Sequence, residues 1–431
     1  MPQESGREAG TMMNAAEHRA NLVFTVVIVA EVLLIGATWP LWTAIHPFPA
    51  VPLLGGLAVV PVAIDWLTLA VLAASTTAYL WNRRSSSDAE EIAPPGAVPQ
   101  AKTQQCSLVL MVVSGSLLVL LNQHRLQSWH WLFLSVTVQS ILLSGRHRLW
   151  ALRLTFATIY IFAALSRLGP DVNTEMSLQL LQTACTLVGG EQLLRSETLL
   201  FNACLAMSLV ELAVGLCLML PRLRRAAVVT AMILHATLLL LLSPIGLNHH
   251  PGVLIWNAFF LIAVPTLFTD IRPQDAKPSP ASVRLRIIAA VIVLFPLSGL
   301  FGIADNWPSW QLYSTRSDVV RLYIDEVSVG QLPEHLQPFV GQPEPLDRWC
   351  PVRLDRWSLA TTRAPIYPED RFQLTVVRAL LENVPAAAVQ ITVESAQSPA
   401  WWHRIIREIN ADELDRFAQT EFLLNGRLAR Q

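Results

Sequence analysis

Four ionisable residues stand in stretches otherwise dominated by Leu, Val, Ile and Ala: Glu31, Asp65, Glu211 and His235. A charge at the centre of a bilayer-spanning helix costs roughly 2.5–3.5 kcal/mol on insertion scales, so such residues are retained for a reason. Glu211 and His235 are the candidate catalytic pair. A carboxyl and an imidazole, both neutral in apolar surroundings, can hydrogen-bond to each other and pass a proton. Two readings of these residues stay open: polar glue between helices, and the handling of a proton or a lipid headgroup.

A second group of polar residues interrupts the apolar pattern in connecting stretches. Asn122 to Trp129 reads NQHRLQSW and contains His124 and Arg125; Ser243 to His250 reads SPIGLNHH and is followed by Trp256 and Asn257. With Arg167 they supply the candidate ligand-binding residues Arg125, Arg167, Asn257 and His124. A guanidinium presents forked donors that suit a carboxylate, a phosphate or a quinone carbonyl. Snorkelling to the headgroups, or pairing with Asp171, is the plainer role for Arg167. Five histidines (His46, His124, His130, His249 and His250) fall in the expected outer loops. No HxH, HxxxH or HExxH spacing with a carboxylate accompanies them, so no metal site is assigned. The chain also lacks a GxSxG elbow, a P-loop and a GxGxxG turn, which argues against hydrolase and nucleotide chemistry.

These residues must be positioned by membrane-spanning elements. The chain has 431 residues, 53% hydrophobic and only 15% charged, where soluble domains carry about 25% charged residues. Of its 63 Asp, Glu, Lys and Arg residues, 30 lie within 305–431. The chain therefore divides into a cytoplasmic tail (1–20), a transmembrane helical domain (21–304) and a small α+β extracytoplasmic domain (305–431). The expected fold is an all-α polytopic bundle followed by that domain. Spans of about 20 apolar residues are expected at 21–42, 57–81, 106–121, 131–144, 149–166, 199–220, 226–243, 253–269 and 287–304, about nine in all. The third and fourth are short. With a cytoplasmic N-terminus, fourteen Lys and Arg residues fall in inner segments and three (Arg125, Arg167, Arg195) in outer loops. That bias fixes the orientation, and an odd number of spans places the C-terminal domain outside. Tryptophans near the span ends read as interfacial anchors.

The stretches 82–105 and 270–285 read as polar inner linkers. The segment 167–198 has apolar residues at helical spacing and reads as an interfacial helix turning at Gly189 and Gly190. Beyond Asp305, strands are expected at Val319–Ile324 and Val389–Val393 and helices at about Pro368–Leu381 and Ala411–Leu424. Trp349, Arg356, Trp357, Tyr367 and Arg371 are expected to build the core of this domain. Five cysteines form no CxxC pair, and Cys350 is alone in the tail. A net charge of −1 gives no support for nucleic-acid binding.

The stretch from Tyr160 to Asp171, YIFAALSRLGPD, resembles the segment of vitamin K-dependent gamma-carboxylases that carries the catalytic lysine, roughly Y-F-x-A-G-x-K-K-L-D-x-D. Those enzymes share the HTTM module of multi-pass bacterial proteins; the chain is also similar to DoxX/MauE-like membrane proteins. NQHRLQSW, LSPIGLNHHPGVLIWN and the tail segment LDRWSLATTRAPIYPEDRFQL resemble motifs of bacterial members without an assigned activity. The resemblance covers about residues 106–270 and part of the tail. It implies a multi-span module with an extracytoplasmic, strand-containing domain, and a quinone as the possible cofactor.

The departure from that family is informative. Arg167 occupies the position of the catalytic lysine, and Ser166 that of its neighbour. An arginine stays protonated and cannot act as a general base, and the two lysines, Lys102 and Lys277, fall in expected inner loops. Three readings follow. The chain is a carboxylase-like protein of the cell (inner) membrane without carboxylase activity, binding a lipid-soluble or anionic small molecule near the outer leaflet. Alternatively, it is a quinone-linked redox or protein-modifying enzyme acting on an exported protein through Glu211 and His235. Or it is a membrane anchor presenting an outer interaction domain.

Overall fold

A computed structural model of the chain describes residues 2–43, 45–89, 98–168, 175–190, 194–269, 282–381, 384–396, 404–414, 416–417 and 422. The helices run in the order α1 (Pro2–Ala37), α2 (Trp39–Thr43), α3 (Ala63–Ala89), α4 (Val98–Leu121), α5 (Ser128–Leu142), α6 (Gly145–Arg167), α7 (Glu175–Val188), α8 (Glu197–Met219), α9 (Arg224–Leu242), α10 (Pro251–Phe268) and α11 (Val283–Gly299). Their starts carry local signals. Ser196 and Ser282 accept the N–H groups of Leu199 and Leu285, and Pro251 opens α10, where a missing N–H has no intrahelical acceptor to lose.

Seven helices are long and apolar enough to cross a membrane: 15–37, 63–83, 102–121, 145–167, 197–219, 224–242 and 251–268. The protein is a multi-pass membrane protein. Each of the nine expected apolar runs is helical, but α5 and α11 have 15 and 17 residues and fall short of a full span by length alone. Within 167–198 the expected helix is α7, which ends where Gly189 adopts φ +70°. The expected linkers lie partly outside the described residues, at 90–97 and 270–281.

Two compact units emerge. The first comprises residues 1–34, 72–112 and 128–315. Here α6 and α8 approach closely at Gly215, where a Cβ would lie 2.7 Å from Ile161 Cγ1 and 2.9 Å from the Ala157 carbonyl. Two polar ties hold α1 against α5 and α6. His130 Nδ1 lies 2.6 Å from Glu31 Oε1, and Arg148 Nη2 lies 2.8 Å from Glu17 Oε1. Along α11, Leu285 packs with Leu143 and Ala151, while Phe295 lies 5.7 Å from Trp131.

The second unit comprises residues 35–71, 113–127 and 316–431. Its sheet contains β1 (Val319–Asp325), β2 (Trp349–Val352), β3 (Val389–Ala396) and β4 (Arg404–Ile409), ordered β2-β1-β3-β4 and antiparallel throughout. Val320, Leu322 and Ile324 alternate inward on β1 and are buried. Two helices, α12 (Leu354–Thr362) and α13 (Asp370–Leu380), add Trp357, Phe372, Val376 and Val377 to the same core. The expected strands and the helix at 368–381 are present, whereas β2, β4 and α12 add to what the pattern predicts. Of the helix expected at 411–424, residues 411–413 form a single 3-10 turn and most of the rest lies outside the described residues. Trp357, Tyr367 and Arg371 are buried as expected, but Arg356 is exposed and Trp349 half-buried. All five cysteines are free.

Candidate functional site

In the first unit, α6 carries Tyr160 and Arg167 two turns apart on one face. Tyr160 Oη lies 2.6 Å from His235 Nε2, and His235 Nδ1 lies 2.9 Å from Asn257 Oδ1. The Asn257 amide in turn donates through Nδ2 to the Val253 carbonyl at 2.9 Å. That last bond fixes the direction of the whole chain. Oδ1 is left as an acceptor, so the imidazole donates from Nδ1 and accepts the tyrosine hydroxyl at Nε2. Phe260 stacks on the His235 ring at 5.0 Å, and Phe156 and Trp256 pack against Phe260. The result is a neutral, fully satisfied polar chain in an aromatic setting.

Glu211 on α8 does not meet His235. It forms an ion pair with Arg167, whose Nε also donates to the Ala163 carbonyl at 3.0 Å. A guanidinium offers five donors to a carboxylate where an imidazole offers one, so the arginine takes the glutamate. Ser166, beside it, presents its carbonyl to the hydroxyls of Ser314 and Thr315 at 3.2 and 3.3 Å. The alternative partner Asp171 lies outside the described residues.

Glu31 is taken up by His130 in the first unit; Asp65, His124 and Arg125 sit in the second, and packing accounts for them. Arg125 pairs with Asp65, and its Nε and Nη2 donate to the carbonyls of Leu41 and Trp42 at 3.1 and 3.3 Å. Both side chains of this pair are sealed, at 1% and 2% exposure. His124 is fully buried, with Nε2 2.9 Å from the Pro365 carbonyl and its ring 5.2 Å from both Phe48 and Phe372. Burial pushes the imidazole down to about 3, so the ring is neutral and Nε2–H donates. Burial, with the nearby Arg125 guanidinium adding to it, also holds His46 down at about 4. Gln123 completes the arrangement by accepting from Arg371 Nε at 3.0 Å.

The structure thus pairs Arg167 with Glu211, His235 with Asn257, and Arg125 with Asp65. Tyr160, which closes the histidine chain, escaped sequence reasoning because a tyrosine in an apolar helix carries no pattern of its own. Among the described residues, no three His, Cys, Asp or Glu side chains come together as a metal site. No family model matches the chain, and neither a curated protein nor a solved structure matches it.

Proposed function

We propose that this multi-pass protein binds a lipid-soluble or anionic small molecule at the Arg167–Glu211 pair, with Tyr160, His235 and Asn257 forming the deeper polar wall. One observation carries the reading. Arg167 and Glu211 retain 18% and 17% exposure, whereas Asp65–Arg125 and Glu31–His130 are sealed at 4% or less. A partly open ion pair offers a carbonyl or carboxylate ligand the forked donors of a guanidinium, beside a preformed hydrogen-bond chain. A quinone has this chemistry. The carboxylase-like resemblance around Tyr160–Arg167 supports the same location, and arginine at the lysine position argues for binding without carboxylation.

The N-terminus is cytoplasmic in this proposal, and the α+β fold is extracytoplasmic. Fourteen cations against three support it. The crossing count in this proposal is nine. His130 meets Glu31 while Arg148 meets Glu17, so α5 runs the depth of α1; α11 reaches from Leu143 to Trp131 beside it.

Mass spectrometry of organic extracts tests the ligand site, using detergent-purified wild type and an Arg167→Ala/His235→Ala double variant. The expected result is a quinone or defined lipid near one-to-one in the wild type and absent from the variant. Equal extracts from two equally folded proteins overturn the proposal. In that case the extensive attachment of residues 35–71 and 113–127 to the C-terminal fold favours an anchor that presents this fold to a protein partner.

A further inference from the structure

A separate recess lies at the opposite end of α6, near the Glu17–Arg148 pair. The α5–α6 corner and the start of α11 line an open recess of about 450 Å³. One wall is apolar, formed by Leu142, Leu143 and Val283; the other is polar, formed by Ser144, His147 and Arg284. Arg284 is exposed and has no carboxylate partner among the described residues. His147 Nε2 is shielded from solvent and makes no hydrogen bond there.

The neighbourhood already holds one anion. The Gly145 N–H, at the start of α6, donates to the Glu17 carboxylate, as helix starts favour. At α11 the Ser282 hydroxyl accepts the Leu285 N–H, and no side chain among the described residues occupies the N–H groups of Val283 and Arg284. A cation, an unused imidazole nitrogen and a hydroxyl therefore converge on a space with no anionic side chain among the described residues that line it. The apolar wall indicates which anion fits. Leu142 and Val283 are 45% and 66% exposed, so the recess runs out onto apolar surface; with α5 and α11 crossing the membrane as proposed above, that surface faces acyl chains.

We propose that this recess binds the phosphate of an anionic phospholipid headgroup, with Arg284, His147 and Ser144 on the phosphate and the acyl chains along Leu142 and Val283. Basic pockets between transmembrane helices recognise such headgroups by this combination of charge and apolar contact. The site is independent of the Arg167–Glu211 pair and of any ligand there.

Native mass spectrometry of the full chain in detergent tests it, with phosphatidylglycerol and phosphatidylcholine as probes. Phosphatidylglycerol is expected to bind in preference, about fivefold more weakly in Arg284→Ala and unchanged in Arg286→Ala. Equal retention of the two lipids, insensitive to Arg284→Ala, overturns the proposal. Displacement of phosphatidylglycerol by millimolar inorganic phosphate also overturns it and assigns the recess to free phosphate. Should Arg284→Ala fail to fold, alkylation of a Ser144→Cys variant, read on the peptide carrying residue 144, decides. Protection by phosphatidylglycerol but not phosphatidylcholine upholds the lipid site, and no protection by either rejects it.

Discussion

Asp65 and Arg125 show how a residue singled out as functional can be structural. Each alone in an apolar run is expensive, and together they seal the Leu41 and Trp42 carbonyls at the end of α1 and α2. Removing one partner leaves a buried charge uncompensated. Asp65→Leu or Arg125→Met is expected to cost about 3–5 kcal/mol, and the double variant to recover much of that loss; thermal unfolding in detergent measures both. The pH response divides between opposite signs. His124 and His46 are held near 3 and 4 by burial, so their contribution is complete above the usual imidazole range and fades as pH falls through about 6.5. Asp318 goes the other way: burial, then the neighbouring Asp370 carboxylate, raise it to about 7. Its folded form holds a proton that the unfolded chain releases near pH 4, so stability falls as pH rises from about 4 to 7. Asp318→Asn is therefore expected to stabilise at pH 8 by on the order of 1–2 kcal/mol and to have little effect at pH 4. Unfolding midpoints at the two pH values check it; equal effects at both would refute the assignment.

At the scale of elements, apolar length was the readable quantity. It located the seven described helices long enough to cross a membrane, because an apolar run of this length in lipid has no other way to satisfy its backbone. It placed the shorter helices α5 and α11 a few residues too far along the chain, since apolar length alone does not mark where a helix starts. The C-terminal strands divide in the same way. The β-branched runs of β1 and β3 were legible, while β2 is four residues containing Pro351 and α12 is mostly polar on its outer face. Both owe their form to what they pack against. The candidate site was half legible. Its charged members stood out by expense, but the partner of each was set by helix rotation, which spacing does not reveal. Rotation is held locally by close approaches such as Gly215. Gly215→Val is expected to destabilise the bundle by about 1–3 kcal/mol through contact with Ile161 and the Ala157 carbonyl. Gly56→Val, with nothing within 4 Å of the new Cβ, serves as the tolerated control in the same unfolding assay.

For the whole molecule, sidedness is the property that most constrains function, and labelling in intact cells addresses it. Leu346 in the C-terminal fold and Leu223 between α8 and α9 are both well exposed. Under the proposed orientation, Leu346→Cys reacts with a membrane-impermeant maleimide from outside, and Leu223→Cys reacts only after permeabilisation. The reverse pattern would invert the topology and move any ligand at Arg167 to the other leaflet. The composition of the second unit also bears on how the protein is made. Phe48, Gln123 and His124 emerge early from the ribosome, yet their partners Trp357, Pro365, Arg371 and Phe372 are among the last stretches translated. At 5–20 residues per second, the 188 positions between 127 and 316 impose a wait of about 10–40 s. During that interval an aromatic ring and two polar side chains stand unsealed beside the membrane. A nascent chain stopped before residue 316 would carry that exposed patch permanently, giving membrane quality control a ready means of telling an unfinished copy from a complete one.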